Sequence, residues 1–212
     1  MTNLEDSLAS FYDLQAPQRA ARNPQPQRIQ HRDHFATLLH AEDRTSVIEI
    51  GTGTGQDASA LQTAGLTVSG IDLSAENVRH CRERGIDAQQ ASLFEMPFDD
   101  DTFDAAWTMS TLLHVPNARL DEALTEITRV LRPGAPLAIG LWGGPDSEHN
   151  QHRSRDGIEV TRFFSWRSDD HLRELLEPHG TLERFETWPD SDPESELHYQ
   201  FCLVRTPGLA AL

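Results

Sequence analysis

The chain has 212 residues with 18 basic against 34 acidic side chains, a formal charge of −16 and a pI of about 4.9. So acidic a chain argues against nucleic acid as a partner, because neutralising phosphates takes a basic face. Every basic residue is Arg, which also excludes a P-loop lysine and Schiff-base chemistry. Along the chain, Leu4, Leu8 and Phe11 space one helical face, and Ile29, Ala36 and Leu39 a second. Between them "APQRAARNPQPQR", with Pro17, Pro24 and Pro26, breaks a continuous helix, so residues 1–40 read as a hinged helical cap. From residue 46 strand and helix alternate: "SVIEI", "QDASALQTAG", "LTVSGID", "SAENVRHCRERG" and "IDAQQ", then "FDAAWTM", "NARLDEALTEITRVLRPG" and "PLAIGLW". Ser74 and Asn117 read as N-caps, Gly65 and Gly85 as C-terminal stops. Residues 143–165, too long and polar for a simple connection, read as a lid. A helix from Ser168 and two strand-like runs, "TLERFETW" and "ELHYQFCLVR", complete residues 166–212. The alternation over residues 41–142 specifies an α/β fold: a doubly wound, mostly parallel sheet with helices on both faces, within one domain spanning 1–212.

The stretch "VIEIGTGTGQD", residues 47–57, carries Gly51, Gly53 and Gly55 between a strand and a helix, where many α/β proteins receive a nucleotide or nucleoside. Gln56 stands where the dinucleotide fingerprint has its third glycine. Asp72 ends the second strand, 21 residues after Gly51, where a carboxylate accepts both hydroxyls of a ribose. Loop and acid together point to a ribose-bearing ligand.

Over residues 40 to 142 the chain resembles the class I S-adenosylmethionine-dependent methyltransferases, in particular the small-molecule, ubiquinone-biosynthesis-like branch. The resemblance is carried by "EIGTGTG", which aligns Glu49, Gly51, Gly53 and Gly55 with the family's signature, by Asp72 in "GIDLS", by "EMPFDDDTFDAAW" and by "RVLRPGAPLAIG". It implies a Rossmann-like, seven-stranded sheet and S-adenosyl-L-methionine as cofactor. It implies that the glycines pass the methionine part, that Asp72 holds the ribose, and that Leu73 and Leu93 sandwich the adenine where they do not simply pack the core. Glu49 buttresses the loop, and Met109 joins the cofactor set. Where the family often has an Asp on the adenine amino group, "ASLFEM" offers Ser92. A cofactor with a sulfonium and no phosphate suits an acidic chain without lysine.

Methyl transfer from a sulfonium needs alignment and exclusion of water more than it needs a base. Should the acceptor lose a proton, His114 in "MSTLLHV" is the candidate base, its alternative role being to order the helix entry at Pro116. Tyr12 and Arg28 in the cap read as surface residues or, alternatively, as groups that meet the cofactor's carboxylate or the substrate. Phe163, Phe164 and Trp166 in "TRFFSW" would wall an apolar acceptor site or pack as a helix-side cluster. The pairs His31/His34 and His149/His152 lack a carboxylate or cysteine partner set and read as solvated, so no metal is expected. The expected partner is a small-molecule methyl acceptor. A non-catalytic binder of S-adenosylmethionine or S-adenosylhomocysteine and a nicotinamide-dependent oxidoreductase are the alternatives. Two cysteines fit free thiols in a reducing compartment, and neither a spanning apolar run nor a signal-peptide order occurs, so a cytoplasmic location without membrane contact is expected.

Overall fold

Two helices precede the first strand in the structure, a computed structural model that describes residues 3–155 and 158–208. Helix α1 (Asn3–Ala20) runs on through Pro17 instead of breaking there, and α2 (Pro26–Ala41) follows a short link. Tertiary contacts along α1 override the proline. Ser7 Oγ donates to the Thr161 carbonyl at 2.8 Å, and Asp13 Oδ1 accepts both the Ser74 hydroxyl at 2.5 Å and the Glu76 amide at 3.0 Å.

The chain then runs β1 (Ser46–Ile50), α3 (Gln56–Thr63), β2 (Thr67–Asp72), α4 (Ala75–Glu83), β3 (Asp87–Gln90), β4 (Ala105–Met109) and a 3₁₀ turn (Leu112–His114). After these come α5 (Asn117–Arg129), β5 (Pro136–Gly143), β6 (Ser147–Arg155), β7 (Ile158–Trp166), α6 (Asp169–Leu176), β8 (Thr181–Pro189) and β9 (His198–Arg205). Seven strands form one sheet in the order β3-β2-β1-β4-β5-β9-β8, parallel from β3 to β5, with β9 antiparallel to both its neighbours.

Period-two alternation in β1 sorts its side chains between two cores. Ile48 and Ile50 pack with Leu120, Leu124 and Ile127 of α5, while Val47 packs with Leu39 of α2, Leu61 of α3 and Trp107 on the opposite face. Helices therefore cover both faces, as the strand–helix alternation requires. Ser74 caps α4 through the Asn77 amide, and Gly65 and Gly85 take φ of +94° and +77° just past α3 and α4. Asn117 is the first residue of α5 instead of its cap, its carbonyl oxygen Oδ1 accepting from Arg167 Nε at 2.7 Å.

The stretch read as a polar lid contains β6 and β7, which pair as a separate antiparallel hairpin; residues 156 and 157 of that stretch lie outside the described residues. The β-branched and aromatic residues of "IEVTRFFSW" are the strand signal within it.

Candidate active site

The strand order reverses between β1 and β4, and in open α/β sheets ligands bind at the carboxyl ends of the strands at such a point. A cavity of about 620 Å³ lies there, within the usual range for small-molecule sites. Its floor is the turn after β1, its roof is α1 and the link to α2, and it runs from Leu73, Ala91, Leu93 and Phe94 at one end to Met109, Trp142, Trp188 and Tyr199 at the other.

The turn needs glycine for two different reasons. Gly51, at φ +70°, has no room for a Cβ, which would overlap the Thr111 side chain. Gly53, at φ +55°, faces open space, so its left-handed backbone leaves a bare cradle toward the cavity. Asp72 organises that cradle: Oδ2 accepts the Gly53 amide at 2.8 Å, while Oδ1 accepts the Ser74 amide at 2.9 Å and Asn77 Nδ2 at 3.2 Å. Burial raises its pKa, and these hydrogen bonds oppose the rise.

Sequence reading missed two residues that fix the roof. Gln56 extends its amide to the last carbonyls of α1 and its exit, reaching Arg22 O at 2.6 Å. Asp57 is fully buried and gathers Arg28 Nε at 2.6 Å, Arg32 Nη1 at 3.3 Å and Trp107 Nε1 at 2.9 Å. An acidic residue in the first turn of a helix, with Arg at 28 and 32 earlier in the chain on one helical face, was the available signal. Arg28 therefore lines the cavity already anchored to the core through Nε.

Glu49 is buried on the α2–α3 face of β1, behind the turn. Its carboxylate oxygens lack well-formed hydrogen bonds, the Ala58 amide giving only weak support. Burial and then the nearby Asp57 carboxylate hold its pKa well above the usual range. The carboxyl lies outside the cavity lining.

His114 and Tyr12 meet in the cavity wall. The Phe163 carbonyl can only accept, so His114 Nδ1 carries the proton and donates to it at 2.7 Å. Nε2 therefore accepts from the Tyr12 hydroxyl at 2.6 Å. Burial lowers the His114 pKa to about 4; the Phe163 hydrogen bond opposes this, and the Arg162 and Arg19 charges add to it. The imidazole expected to face an acceptor has its one basic nitrogen committed to tyrosine, and both residues line the cavity.

Leu73, Leu93 and Met109 line the cavity. Ser92 does not: its hydroxyl donates to the Glu5 carboxylate and accepts the Phe94 amide at 3.1 Å, and Glu5 is the residue of that pair in the wall. The aromatic cluster "TRFFSW" packs away from the cavity, with Phe164 against His114 and His149, because β7 belongs to the hairpin. The aromatic end comes instead from β5, β8 and β9. His31 is buried and stacked on Phe201 at 4.0 Å and Trp188 at 5.1 Å, not solvated. Among the described residues no cluster of His, Cys, Asp and Glu could hold a metal, and no helix is long and apolar enough to cross a membrane.

Residues 48–139 match the family described as "Methyltransferase domain". The chain is 31% identical over 164 residues to 27-O-demethylrifamycin SV methyltransferase of Amycolatopsis mediterranei (strain S699), covering 69% of this chain and 59% of that protein. Among the first curated relatives, the chain covers from 30% to 59% of the relative's length. The fold matches Burkholderia thailandensis 1,6-didemethyltoxoflavin-N1-methyltransferase, solved with 1,6-didemethyltoxoflavin and S-adenosylhomocysteine, at 18% identity and a TM-score of 0.69 over 98% of this chain and 92% of that one. It also matches the [4+2]-cyclase SpnF at 20% identity and a TM-score of 0.68 over 95% of each chain, so the fold alone does not fix the reaction. With the glycine turn, the strand-ending acid and the seven-stranded order all in place, residues 48–139 form a methyltransferase domain, and the chain shares its fold with a methyltransferase solved with S-adenosylhomocysteine.

Proposed function

We propose that this protein moves a methyl group from S-adenosylmethionine to a small-molecule O, N or C nucleophile by in-line displacement. The observation that carries the reading is one continuous cavity that holds both the Gly53–Asp72 cradle and an aromatic end beyond it. A protein that only binds the cofactor has no need of that second end. The sulfonium supplies an already activated methyl group, so the chain's task is alignment and dryness.

Each residue then has a task. Gly51 and Gly53 leave the backbone bare for the methionine part, whereas Gly55 lies outside the cavity lining and turns toward Ile86 and Cys81; Asp72 accepts the ribose hydroxyls, and Leu73 and Leu93 flank the base. Arg28, held by Asp57, turns the rest of its guanidinium to the cofactor's carboxylate, and Glu49 lies under the ammonium and sulfonium charge. Met109 and Tyr199 border the acceptor end. Tyr12 is the catalytic residue that would touch the reacting groups, and His114 positions its hydroxyl. A proton leaving the acceptor would pass to the Tyr12 oxygen as the tyrosine's own proton moves to His114 Nε2. With a His114 pKa of about 4 that relay is a weak base, which favours acceptors that are neutral amines or already acidic.

The α1 exit standing over the first turn of α3, where Gln56 binds its carbonyls, opposes a pyrophosphate there and with it the nicotinamide reading. The −16 charge supports the absence of a nucleic-acid partner, and the buried free thiols of Cys81 and Cys202 support a cytoplasmic location. Calorimetry with S-adenosylmethionine, S-adenosylhomocysteine and NAD, followed by an acceptor screen read as S-adenosylhomocysteine formed, tests the proposal. Binding of NAD alone would overturn the cofactor. Tight S-adenosylmethionine binding with no turnover across amine, enol and phenol acceptors would favour the non-catalytic alternative.

A further inference from the structure

We propose that the methyl acceptor carries an oxyanion, a carboxylate in the first place, and that Arg19 in the last turn of α1 is the residue that receives it. The inference rests on the S-adenosylmethionine reading of the cavity. Of the 34 acidic side chains only Glu5 and Asp72 line the cavity, whereas four of the 18 arginines do, namely Arg19, Arg22, Arg28 and Arg119. A chain of formal charge −16 thus encloses a cavity whose lining carries more cations than anions, and a concave site of one sign gathers ligands of the other.

Two of the four arginines are already answered by carboxylates. Arg28 is held by Asp57 at 2.6 Å, and Arg119 forks Glu122 at 2.8 and 2.7 Å. Arg22 is exposed on the link that follows α1. Arg19 differs from them: among the described residues no carboxylate pairs with its guanidinium, its Nε is buried without a hydrogen-bond partner, and its central carbon stands 4.7 Å over the Tyr12 ring. Asp72 feels that charge, yet its oxygens already accept the Gly53 amide, the Ser74 amide and Asn77 Nδ2. The helix end that presents Arg19 is fixed, because Gln56 Nε2 donates to the carbonyls of Ala20 and Arg22 at 3.3 and 2.6 Å. Nor does the cofactor answer the charge. Its sulfonium and ammonium outnumber its carboxylate, for which Arg28 is placed, so it brings further positive charge into the cavity. An acceptor with an oxyanion offsets that excess and presents the planar pair of oxygens that a guanidinium fork matches. Because Arg19 lies against Tyr12, the anion it receives stands beside the hydroxyl assigned to the reaction. The body of the acceptor then faces the aromatic end, where Trp188 stacks on Tyr199 at 4.8 Å and Trp142 meets it edge-on at 5.3 Å, a surface for a planar ring.

The test is calorimetry on the full chain and on Arg19→Gln and Arg19→Lys, first with S-adenosylhomocysteine and S-adenosylmethionine alone. Benzoate, 2-naphthoate and indole-3-carboxylate, each against its carboxamide, are then titrated into the S-adenosylhomocysteine complex. The wild-type complex is expected to bind at least one carboxylate about tenfold or more tighter than the matching amide. In Arg19→Gln that preference is expected to fall to within about threefold, and in Arg19→Lys, which keeps the charge without the fork, to survive in part. Arg19→Gln is also expected to hold S-adenosylhomocysteine within about twofold of wild type and to bind the sulfonium compound relatively tighter, since a like charge has been removed. A wild type that binds no S-adenosylhomocysteine would remove the S-adenosylmethionine reading itself. With that binding intact, a complex that takes no carboxylate in preference to its amide, or a folded Arg19→Gln that keeps the full preference, would overturn the role of Arg19. Equal weakening of both cofactor forms by about tenfold in Arg19→Gln would overturn it too, by assigning the arginine to the cofactor's own carboxylate.

Discussion

Asp72 Oδ2 accepts the Gly53 amide at 2.8 Å, so the acid assigned to the ribose and the turn assigned to the methionine part are a single hydrogen-bonded unit. Removing the carboxylate therefore acts twice. Asp72→Ala leaves the buried Ser74 and Asn77 donors and the Gly53 amide without their acceptor, at about 1–3 kcal/mol for each donor that water cannot reach. The expected outcome is a melting temperature lower by several degrees together with S-adenosylhomocysteine affinity weaker by at least tenfold. Asp72→Asn, which retains one oxygen, is expected to keep more of the melting temperature than of the affinity. Thermal unfolding and calorimetry on both variants check this, and unchanged affinity in either would release Asp72 from the ribose.

Tyr12 gives the second prediction, since Tyr12→Phe keeps the ring that packs against Phe11 and removes only the hydroxyl bonded to His114. If that oxygen touches the reacting groups, turnover with a genuine acceptor falls on the order of tenfold to a hundredfold while S-adenosylmethionine affinity stays within about twofold. Full turnover in the variant would make Tyr12 a wall and nothing more.

The parallel half of the fold was legible because its signals are local. Alternating apolar strands, Gly65 and Gly85 past their helices, and Gly51, Gly53 and Asp72 at fixed spacing each act within a few residues of their own position. What could not be read lies between distant segments. The Glu5–Ser92 and Tyr12–His114 contacts join residues 87 and 102 apart, and no spacing rule links them. Pro17 misled because the cost of one missing amide is visible in sequence, while the contacts of Ser7 and Asp13 that hold the helix are not. His31 was read as solvated for the same reason: its stacking partners Trp188 and Phe201 arrive from β8 and β9.

Glu49 supplies a prediction about protons. Its pKa is held up first by burial and then by Asp57, so the folded protein keeps a proton there to higher pH than an ordinary glutamate does. A cationic ligand placed beside it favours the charged form and expels that proton. Calorimetric titration of S-adenosylmethionine at a series of pH values above the ordinary glutamate range, each in two buffers of different ionisation enthalpy, is expected to show net proton release where the carboxyl is still protonated. The release should be absent in Glu49→Gln, and buffer-independent heats in the wild type would separate Glu49 from the ligand's charge.

His114 sets the acid limit. The unfolded chain takes up a proton at this histidine near pH 6.5, whereas in the folded protein burial delays uptake to about pH 4, even with the Phe163 carbonyl favouring the charged ring. Between those values the unfolded state binds more protons, so stability is full above about pH 6.5 and declines as pH falls toward 4. The loss amounts to roughly 3 kcal/mol. Protonation at Nε2 would also replace the lone pair that accepts the Tyr12 hydroxyl, so the α1 contact loosens over the same range. His31, also lowered by burial, contributes in the same direction. Urea unfolding from pH 4 to 8 must therefore be compared with His114→Gln, in which the His31 contribution remains and the steeper part of the decline should vanish. For the same reason turnover should show no acid limb at pH 6.5, because a histidine that stays neutral down to about 4 leaves the Tyr12 hydroxyl in place across that range. Identical pH dependence of stability in wild type and variant would mean that the imidazole takes its proton as readily in the fold as in water.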